Sequence, residues 1–476
     1  MNICRVGVSI VFLSLLGRGA AAQDRTLSPA VRGFASVTAQ TVALTHVKVL
    51  DGTGAPARAD QTIVISGDAI QAIGRTGEVA IPAGAQVLDL AGHTAIPGLV
   101  GLHDHMYYSS AAGGSMKMML QSYPRLFLGA GVTTIRTAGS TDSYQELNLK
   151  ARIDGGMAPG PTLFVTGPYL QGPGPGPGAM HPLTGPDDAR RTVRYWAEEG
   201  VTWFKAYTQI SREDLGAAIA EAHKHNVKVT AHLCSVGYRE AVALGIDNLE
   251  HGMFANTEYY RNKQPDVCPT AGDSAIFAEA SLDNPDVQRT IREMVEHKVS
   301  LTSTLAVYET STPSRVAYDA RVIDALLPDA AHAVAKWYAD APKARDAVGR
   351  AVLQKTMAFE RAFYQAGGLL GAGSDPCCLH VIAGYGDQRN YELLIEAGFA
   401  PEEAVQVMTL NGARVLGIEK TVGSLAPGMR ADIVILSGDL TASPATIRNT
   451  VTVFKNGVGF DSRKLIASVK GQVGLK

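Results

Sequence analysis

Thr94-Ala95-Ile96-Pro97-Gly98-Leu99-Val100-Gly101-Leu102-His103-Asp104-His105 is an apolar run that ends in two histidines one residue apart. Side chains of a β-strand alternate between faces, so the spacing puts His103 and His105 on one face and Asp104 on the other. Two imidazoles at the end of a buried strand can hold one metal ion between them. Alone the motif is weak, because His-x-His recurs in unrelated folds. Its meaning depends on what the ends of later strands supply.

Towards the C-terminus, apolar strand patterns alternate with helical ones. Strands are expected at 132–136, 161–169, 201–207, 227–233, 246–250, 299–307 and 368–373. Helices are expected at 187–199, 212–223, 237–244 and 287–297, followed by a long helical stretch up to Gly367. Ser211 suits the N-cap of the second. With the strand before His103 this makes eight strands with helical crossovers. That order points to an α/β fold, a closed parallel (β/α)8 barrel of the TIM type. On either side the rhythm changes to short alternating runs between Gly, Asp and Pro turns, at 42–50, 62–65, 69–73 and 85–90, and again at 432–436 and 451–457. These are expected to form one small β-domain, of sandwich type, built from both chain ends. The expected division is a leader at 1–22, the β-domain at 23–92 and 418–476, and the barrel at 93–417. Two long rim loops, 172–178 and 255–283, are expected beside the barrel mouth.

The chain has 476 residues, 46% hydrophobic and 18% charged, with a formal net charge of −2. This describes a globular protein, and it argues against a nucleic-acid-binding surface. Arg5, the apolar Val6–Leu16 and Ala20-Ala21-Ala22 read as a signal peptide, too short for a comfortable membrane span. An exported protein, periplasmic or secreted, without stable membrane insertion is expected. Cys234, Cys268, Cys377 and Cys378 are too few for a disulfide framework; adjacent Cys377 and Cys378 are poorly placed to bridge each other, so any pairing stays open. A homo-oligomer also stays open.

Of twelve histidines, His103, His105, His232 and His251 lie at the C-terminal end of an expected barrel strand, where active sites of such barrels form. Asp375 follows the Gly-rich last strand, and a carboxylate buried there needs a partner. Lys205 shares a strand face with Val201, Trp203 and Tyr207. A buried ammonium is expensive, but burial also favours the neutral amine, which can react with CO2. The resulting carbamate has two oxygens and can bridge two cations. His103, His105, Lys205, His232, His251 and Asp375 thus make a ligand set of nitrogen and oxygen with room for two divalent ions. Zinc suits it best, with manganese or cobalt as alternatives.

The stretches Ile96–His105, Phe204-Lys205, Ala231-His232, Glu250-His251-Gly252, Gly373-Ser374-Asp375 and Val422–Asp432 resemble the amidohydrolase superfamily over roughly residues 41–465. Within it the chain is similar to imidazolonepropionase-like proteins and exported prolidase-like dipeptidases and carboxamidases, the branch that includes the ochratoxin amidase type. The resemblance implies a binuclear centre. His103, His105 and Asp375 would bind the more buried metal, His232 and His251 the more exposed one, and carboxylated Lys205 both. Two positions depart from the pattern: Gly101 and Thr137 stand where Asp is common.

The expected reaction is hydrolysis of a carbon–nitrogen amide bond in a small molecule, a dipeptide, N-acyl amino acid or related carboxamide. A metal-acidified water would attack, with Asp375 as general base and then acid. Tyr207, two residues beyond Lys205, is a candidate oxyanion donor and substrate contact, with His181 as a second candidate for the donor role. Arg136 would either meet a substrate carboxylate or serve as an internal ion-pair partner. A lactonase or cyclic-amide hydrolase would use the same site. From another class, an inactive exported metal- or substrate-binding protein would keep the ligands without turnover.

Overall fold

The computed structural model describes residues 27–110, 115–174, 180–269, 280–315, 319–341 and 343–475. The leader expected at 1–22 lies outside the described residues, as do parts of both expected rim loops.

Eight parallel strands form the centre: β1 (Leu99–Asp104), β2 (Val132–Thr137), β3 (Thr162–Phe164), β4 (Trp203–Ala206), β5 (Lys228–Ala231), β6 (Asn248–Glu250), β7 (Ser300–Ser303) and β8 (Leu370–Ala372). Their order in the sheet is β3-β2-β1-β8-β7-β6-β5-β4. The segment that follows β3 also reaches β4. Thr166 bridges Trp203 and Leu170 bridges Ala206, both parallel, and Gly167 N donates to Trp203 O at 2.9 Å. Every residue of β1, β2 and β4 is buried, the signature of strands covered on both faces. Helices Pro186–Glu198, Arg212–Lys224, Tyr238–Ala243 and Pro285–Glu296 lie near their expected positions. Ser211 caps the second, accepting from Asp214 N at 3.0 Å.

Strand β1 is not regular. Ile135 stands opposite Gly101 and Thr137 opposite Asp104, so β1 carries one more residue than β2 over that interval. A bulge of this kind turns the chain and re-aims side chains.

One expectation needs correction. The strand expected at 299–307 ends at Ser303, and Leu305–Glu309 is helical. The long stretch towards Gly367 is several helices, Leu305–Glu309, Ala320–Ala325, Pro328–Ala339 and Lys343–Gln365. Proline at a first helical turn fits the restart at 328.

Strands from both chain ends, 35–97 and 433–461, join in one nine-stranded, mostly antiparallel sheet. His93–Pro97, which leads directly into β1, lies between Ile433–Ser437 and Thr41–Val49 in that sheet. A separate apolar cluster with Val42, Leu44, Ile63, Ile433 and Phe454 packs it. The entry to β1 is therefore fixed by strands from both ends of the sequence. No helix among the described residues is long and apolar enough to cross a membrane.

Candidate metal centre

All six expected ligands stand at the C-terminal ends of the parallel strands: His103 and His105 at β1, Lys205 in β4, His232 after β5, His251 after β6 and Asp375 after β8. Local backbone conformation helps to aim two of them. His251 and Asp375 hold φ of +72° and +51°, left-handed values that side chains rarely adopt. Such conformations persist where surrounding structure enforces them. Part of that enforcement is Gly373, where a Cβ would lie 2.3 Å from the His103 backbone nitrogen. The missing side chain lets β8 lie against β1, and Asp375 N then donates to His103 O at 2.8 Å.

The side chains converge. Ligand atoms of His103, His251 and Asp375 all lie within 4.8 Å of one another. His105 Nε2 is 3.1 Å from Asp375 Oδ1, and His103 Nε2 is 3.7 Å from Asp375 Oδ2. The His232 ring centroid is 4.3 Å from that of His251. Lys205 is 1% exposed, with Nζ 3.9 Å from Glu250 Oε1. Three buried atoms here lack a hydrogen-bond partner: His105 Nδ1, Lys205 Nζ and His251 Nε2. Buried nitrogens left this way are costly in isolation, which fits a site that would hold a metal ion. A set of imidazoles and a carboxylate with no thiolate fits divalent zinc, manganese or cobalt.

A second layer orients the ligands. His103 Nδ1 lies 2.9 Å from Glu250 Oε2, and His251 Nδ1 lies 2.8 Å from Thr304 Oγ1. Each contact fixes one ring nitrogen and leaves Nε2 towards the centre. Glu250 also pairs with Arg136 and accepts from Thr230 Oγ1. Arg136 donates to Asn248 Oδ1 at 3.0 Å and stacks on Trp203, 4.6 Å from the ring centroid.

Electrostatics follow from burial. Burial, then the Lys205 ammonium, lowers the His103 and His232 imidazoles, His232 to about 4. Burial, followed by His232, lowers His251. These rings are neutral near pH 7, as ligation requires. Burial lowers Lys205 to about 8, with Glu250 opposing. Burial works to raise the Asp375 carboxyl, but His103, His105 and Lys205 outweigh it and hold it well below its ordinary range.

Tyr207 sits beside the centre, its ring 5.0 Å from His232 and 5.3 Å from Tyr169. Burial, then Asp375, keeps its phenol protonated. Arg136 takes the ion-pair alternative over the substrate contact. Its guanidinium is fully buried and committed to Glu250 and Asn248. His181 is 64% exposed, its Nε2 3.1 Å from Asp188 Oδ2 on the following helix. That contact holds its Nε2 against Asp188. Asp104 turns from the ligands, and its Oδ1 accepts from Ser374 Oγ at 3.1 Å. Sequence reasoning gave no role to Glu250, Thr304, Tyr107 or Tyr308. Glu250 carried the signal used for Asp375, a carboxylate in a buried strand. Tyr107, 4.6 Å from His105 between ring centroids, follows it by the strand period. Tyr308, 5.7 Å from His251, lies on the helix that replaces the expected strand end.

Comparison with known proteins gives the kinship. The profile of the amidohydrolase family matches residues 94–459. Adenine deaminase 1 of Bradyrhizobium sp. (strain ORS 278) is 44% identical over 63 residues, 13% of this chain and 10% of that protein. The chain thus matches only about a tenth of the length of that relative. Imidazolonepropionase of Streptomyces griseus subsp. griseus is 23% identical over 428 residues, 83% of this chain and 92% of that one. Among solved structures, a candidate prolidase from Bifidobacterium longum is 25% identical, with a TM-score of 0.66 over 90% of this chain and 99% of that one. A Xaa-Pro dipeptidase with methionine bound in its active site is 20% identical, with the same TM-score of 0.66 over 88% of this chain and 100% of that one. Because the profile spans well over half of the sequence and covers every strand end that carries a candidate ligand, the chain belongs to the amidohydrolase family of hydrolases.

Proposed function

We propose that this protein hydrolyses the carbon–nitrogen amide bond of a small carboxamide, a dipeptide or an N-acyl amino acid, at a binuclear metal centre in the mouth of a closed (β/α)8 barrel. The observation that carries the reading is the convergence of His103, His251 and Asp375 within 4.8 Å, with His105 and Lys205 buried nearby and partnerless at a ring nitrogen and an amine. The bridges from 166 and 170 to β4 support closure of the barrel. The prolidase and dipeptidase likenesses support an amide substrate.

In this reading His103, His105, His232, His251, Asp375 and Lys205, the last as a carbamate, would hold the two ions. Zinc is the favoured ion. A lysine lowered to about 8 by burial has a ready neutral fraction for reaction with CO2. When bound, the ions acidify the attacking water and polarise the scissile carbonyl. Asp375, ionised and 15% exposed, accepts the proton of that water and returns it to the leaving amine. Tyr207, protonated and beside His232, donates to the oxygen on which negative charge develops. Glu250 and Thr304 keep the imidazoles in register while charge moves. The protein is read as exported, with a processed leader and a β-domain built from both chain ends.

The test is metal analysis of the purified protein together with turnover of a panel of dipeptides, N-acyl amino acids, esters and lactones. Two equivalents of metal and amide turnover support the proposal. Metal retained with turnover of lactones alone, or with no turnover, overturns it.

A further inference from the structure

Two adjacent cysteines follow Asp375 and have no part in the chemistry above. Cys377 Sγ and Cys378 Sγ lie 2.6 Å apart, well inside the roughly 3.5–4.0 Å of ordinary non-bonded contact. Both residues are half-buried. The other described cysteines, Cys234 and Cys268, are bonded to each other. Cys377 and Cys378 are therefore each other's available partner.

The segment around them is clamped. Tyr123 OH donates to Pro376 O at 3.0 Å and Tyr108 OH to Leu379 O at 2.8 Å. Cys377 N donates to Asp375 O, and Ser109 N donates to Cys377 O, both at 2.7 Å. Asp375 and Leu379 bracket the pair with φ of +51° and +54°. Ser109 ends the short strand Tyr107–Ser109, which runs on from His105. The Cys377 carbonyl thus ties the Asp375 segment to the segment that follows the first two histidines.

We propose that Cys377 and Cys378 form a redox-modification site, in which a low-molecular-weight disulfide closes a bond between the two sulfurs and displaces Asp375. The thiolate of one cysteine attacks a sulfur of the small disulfide. The oxidant's S–S bond breaks, a mixed disulfide forms and one small thiol leaves. The second cysteine attacks the protein sulfur of that mixed disulfide, which forms the Cys377–Cys378 bond and releases the second small thiol. Two electrons pass to the oxidant, and the two thiol protons end on the two released thiols.

Ring closure moves the backbone. Neighbouring Cα atoms across a trans peptide are about 3.8 Å apart, below the roughly 4.4–6.8 Å that disulfides prefer. The peptide between the cysteines must twist to accommodate the bond. Its carbonyl is the one that Ser109 holds, so the tie to the His105 segment breaks. A bond under such strain is easily reduced, which makes the modification reversible. Bond formation is independent of the proposed function, whereas its effect on turnover rests on the role given there to Asp375.

The experiment treats the metal-loaded protein with oxidised glutathione. Three quantities are read: the mass of the peptide containing 375–379, hydrogen exchange at the Ser109 amide, and turnover. Wild type is expected to give a peptide lighter by two hydrogens, faster Ser109 exchange, and turnover lowered by about tenfold to 100-fold, the scale of a small misplacement. A phosphine reductant reverses all three, and Cys378→Ser, which can go no further than the mixed disulfide, never gives the peptide lighter by two hydrogens. A peptide that stays in the dithiol form, a bond that leaves Ser109 exchange unchanged, or a loss of two hydrogens that persists in Cys378→Ser overturns the proposal. A bond with faster Ser109 exchange in a protein that cleaves no amide leaves this site standing and refutes the proposed function instead.

Discussion

Glu250→Gln keeps the shape of the side chain and removes one charge from a fully buried network. In the native protein that carboxylate faces His103 Nδ1 at 2.9 Å, pairs with Arg136 and accepts from Thr230. Arg136 has no exposure and keeps only Asn248 and the Trp203 face once the charge is gone. An uncompensated buried charge is expected to destabilise the fold by about 3–5 kcal/mol. Separately, His103 loses the anion that holds its tautomer, and loss of such a partner lowers metal affinity by about 10–100-fold. The two effects have different causes, so a second substitution separates them. Arg136→Met in the Glu250→Gln background removes the stranded guanidinium and is expected to recover most of the stability, since replacing a whole buried pair is often neutral. It does nothing for His103, so metal affinity stays low. Urea unfolding of the metal-free variants gives the first quantity and competition with a chromophoric chelator the second. A Glu250→Gln penalty under about 1 kcal/mol would contradict the ion-pair argument, which rests on the general cost of a lone buried charge. Metal affinity that returns together with stability in the double variant would refute the assignment of Glu250 to His103.

Three further outcomes are expected. Lys205→Ala is expected to lose metal occupancy and turnover, with partial rescue by short carboxylic acids that replace the carbamate; full activity without rescue would remove its bridging role. Asp375→Asn is expected to keep the fold by circular dichroism and lose about 10²–10⁴ in turnover, and an unchanged rate would remove it from proton transfer. For the metal-free protein, stability is expected to fall as pH falls from about 6.5 towards 4. The folded state holds His232 near 4, below its ordinary 6.5, and holds His103 and His251 well below that ordinary value too, so in this window the unfolded chain takes up protons the folded one refuses. The slope is about 1.4 kcal/mol per pH unit for each such histidine. Urea midpoints at pH 7.0, 5.5 and 4.5 measure it, and flat midpoints would contradict the burial of neutral imidazoles.

The parallel strands and the candidate ligands at their ends were legible because each candidate ends an apolar run in chain order, and a parallel sheet brings such ends together. Lys205 was legible from its surroundings, a cation on a face with Val201 and Trp203. Other features left no readable trace. Leu305-Ala306-Val307 extends the apolar run of β7, and a short apolar run does not distinguish strand from buried helix. The helix it forms brings Tyr308 to His251, a contact hidden by the strand reading. The Cys234–Cys268 bond joins residues 34 apart, with no spacing rule to single it out. Arg136 had two roles open because a guanidinium suits a substrate carboxylate and an internal one equally, and only its distance from solvent separates them.

Gly101 and Thr137 were the two positions where the resemblance failed, and the bulge in β1 explains the first. A Cβ on Gly101 would lie 1.8 Å from Asp104 Oδ2. The extra residue between these positions brings Asp104 round to the Gly101 side, where regular alternation would have separated them. The carboxyl group expected at 101 is thus supplied from 104. There its Oδ1 takes a hydrogen bond from Ser374 Oγ, which also contacts Asp387 Oδ2 at 3.0 Å. Burial, then Asp387, pushes the Asp104 carboxyl well up. Thr137 serves the neighbouring seam: its Oγ1 accepts from Thr166 N at 2.9 Å, holding the segment after β3 to β2. Neither departure removes support from the ligands. A glycine at 101 and an aspartate at 104 form one feature, because an Asp at 101 and the Asp at 104 would compete for a single space. The residue that looked like a loss in the sequence is the condition for a carboxyl group that bridges β1 to the Ser374-Asp375 turn.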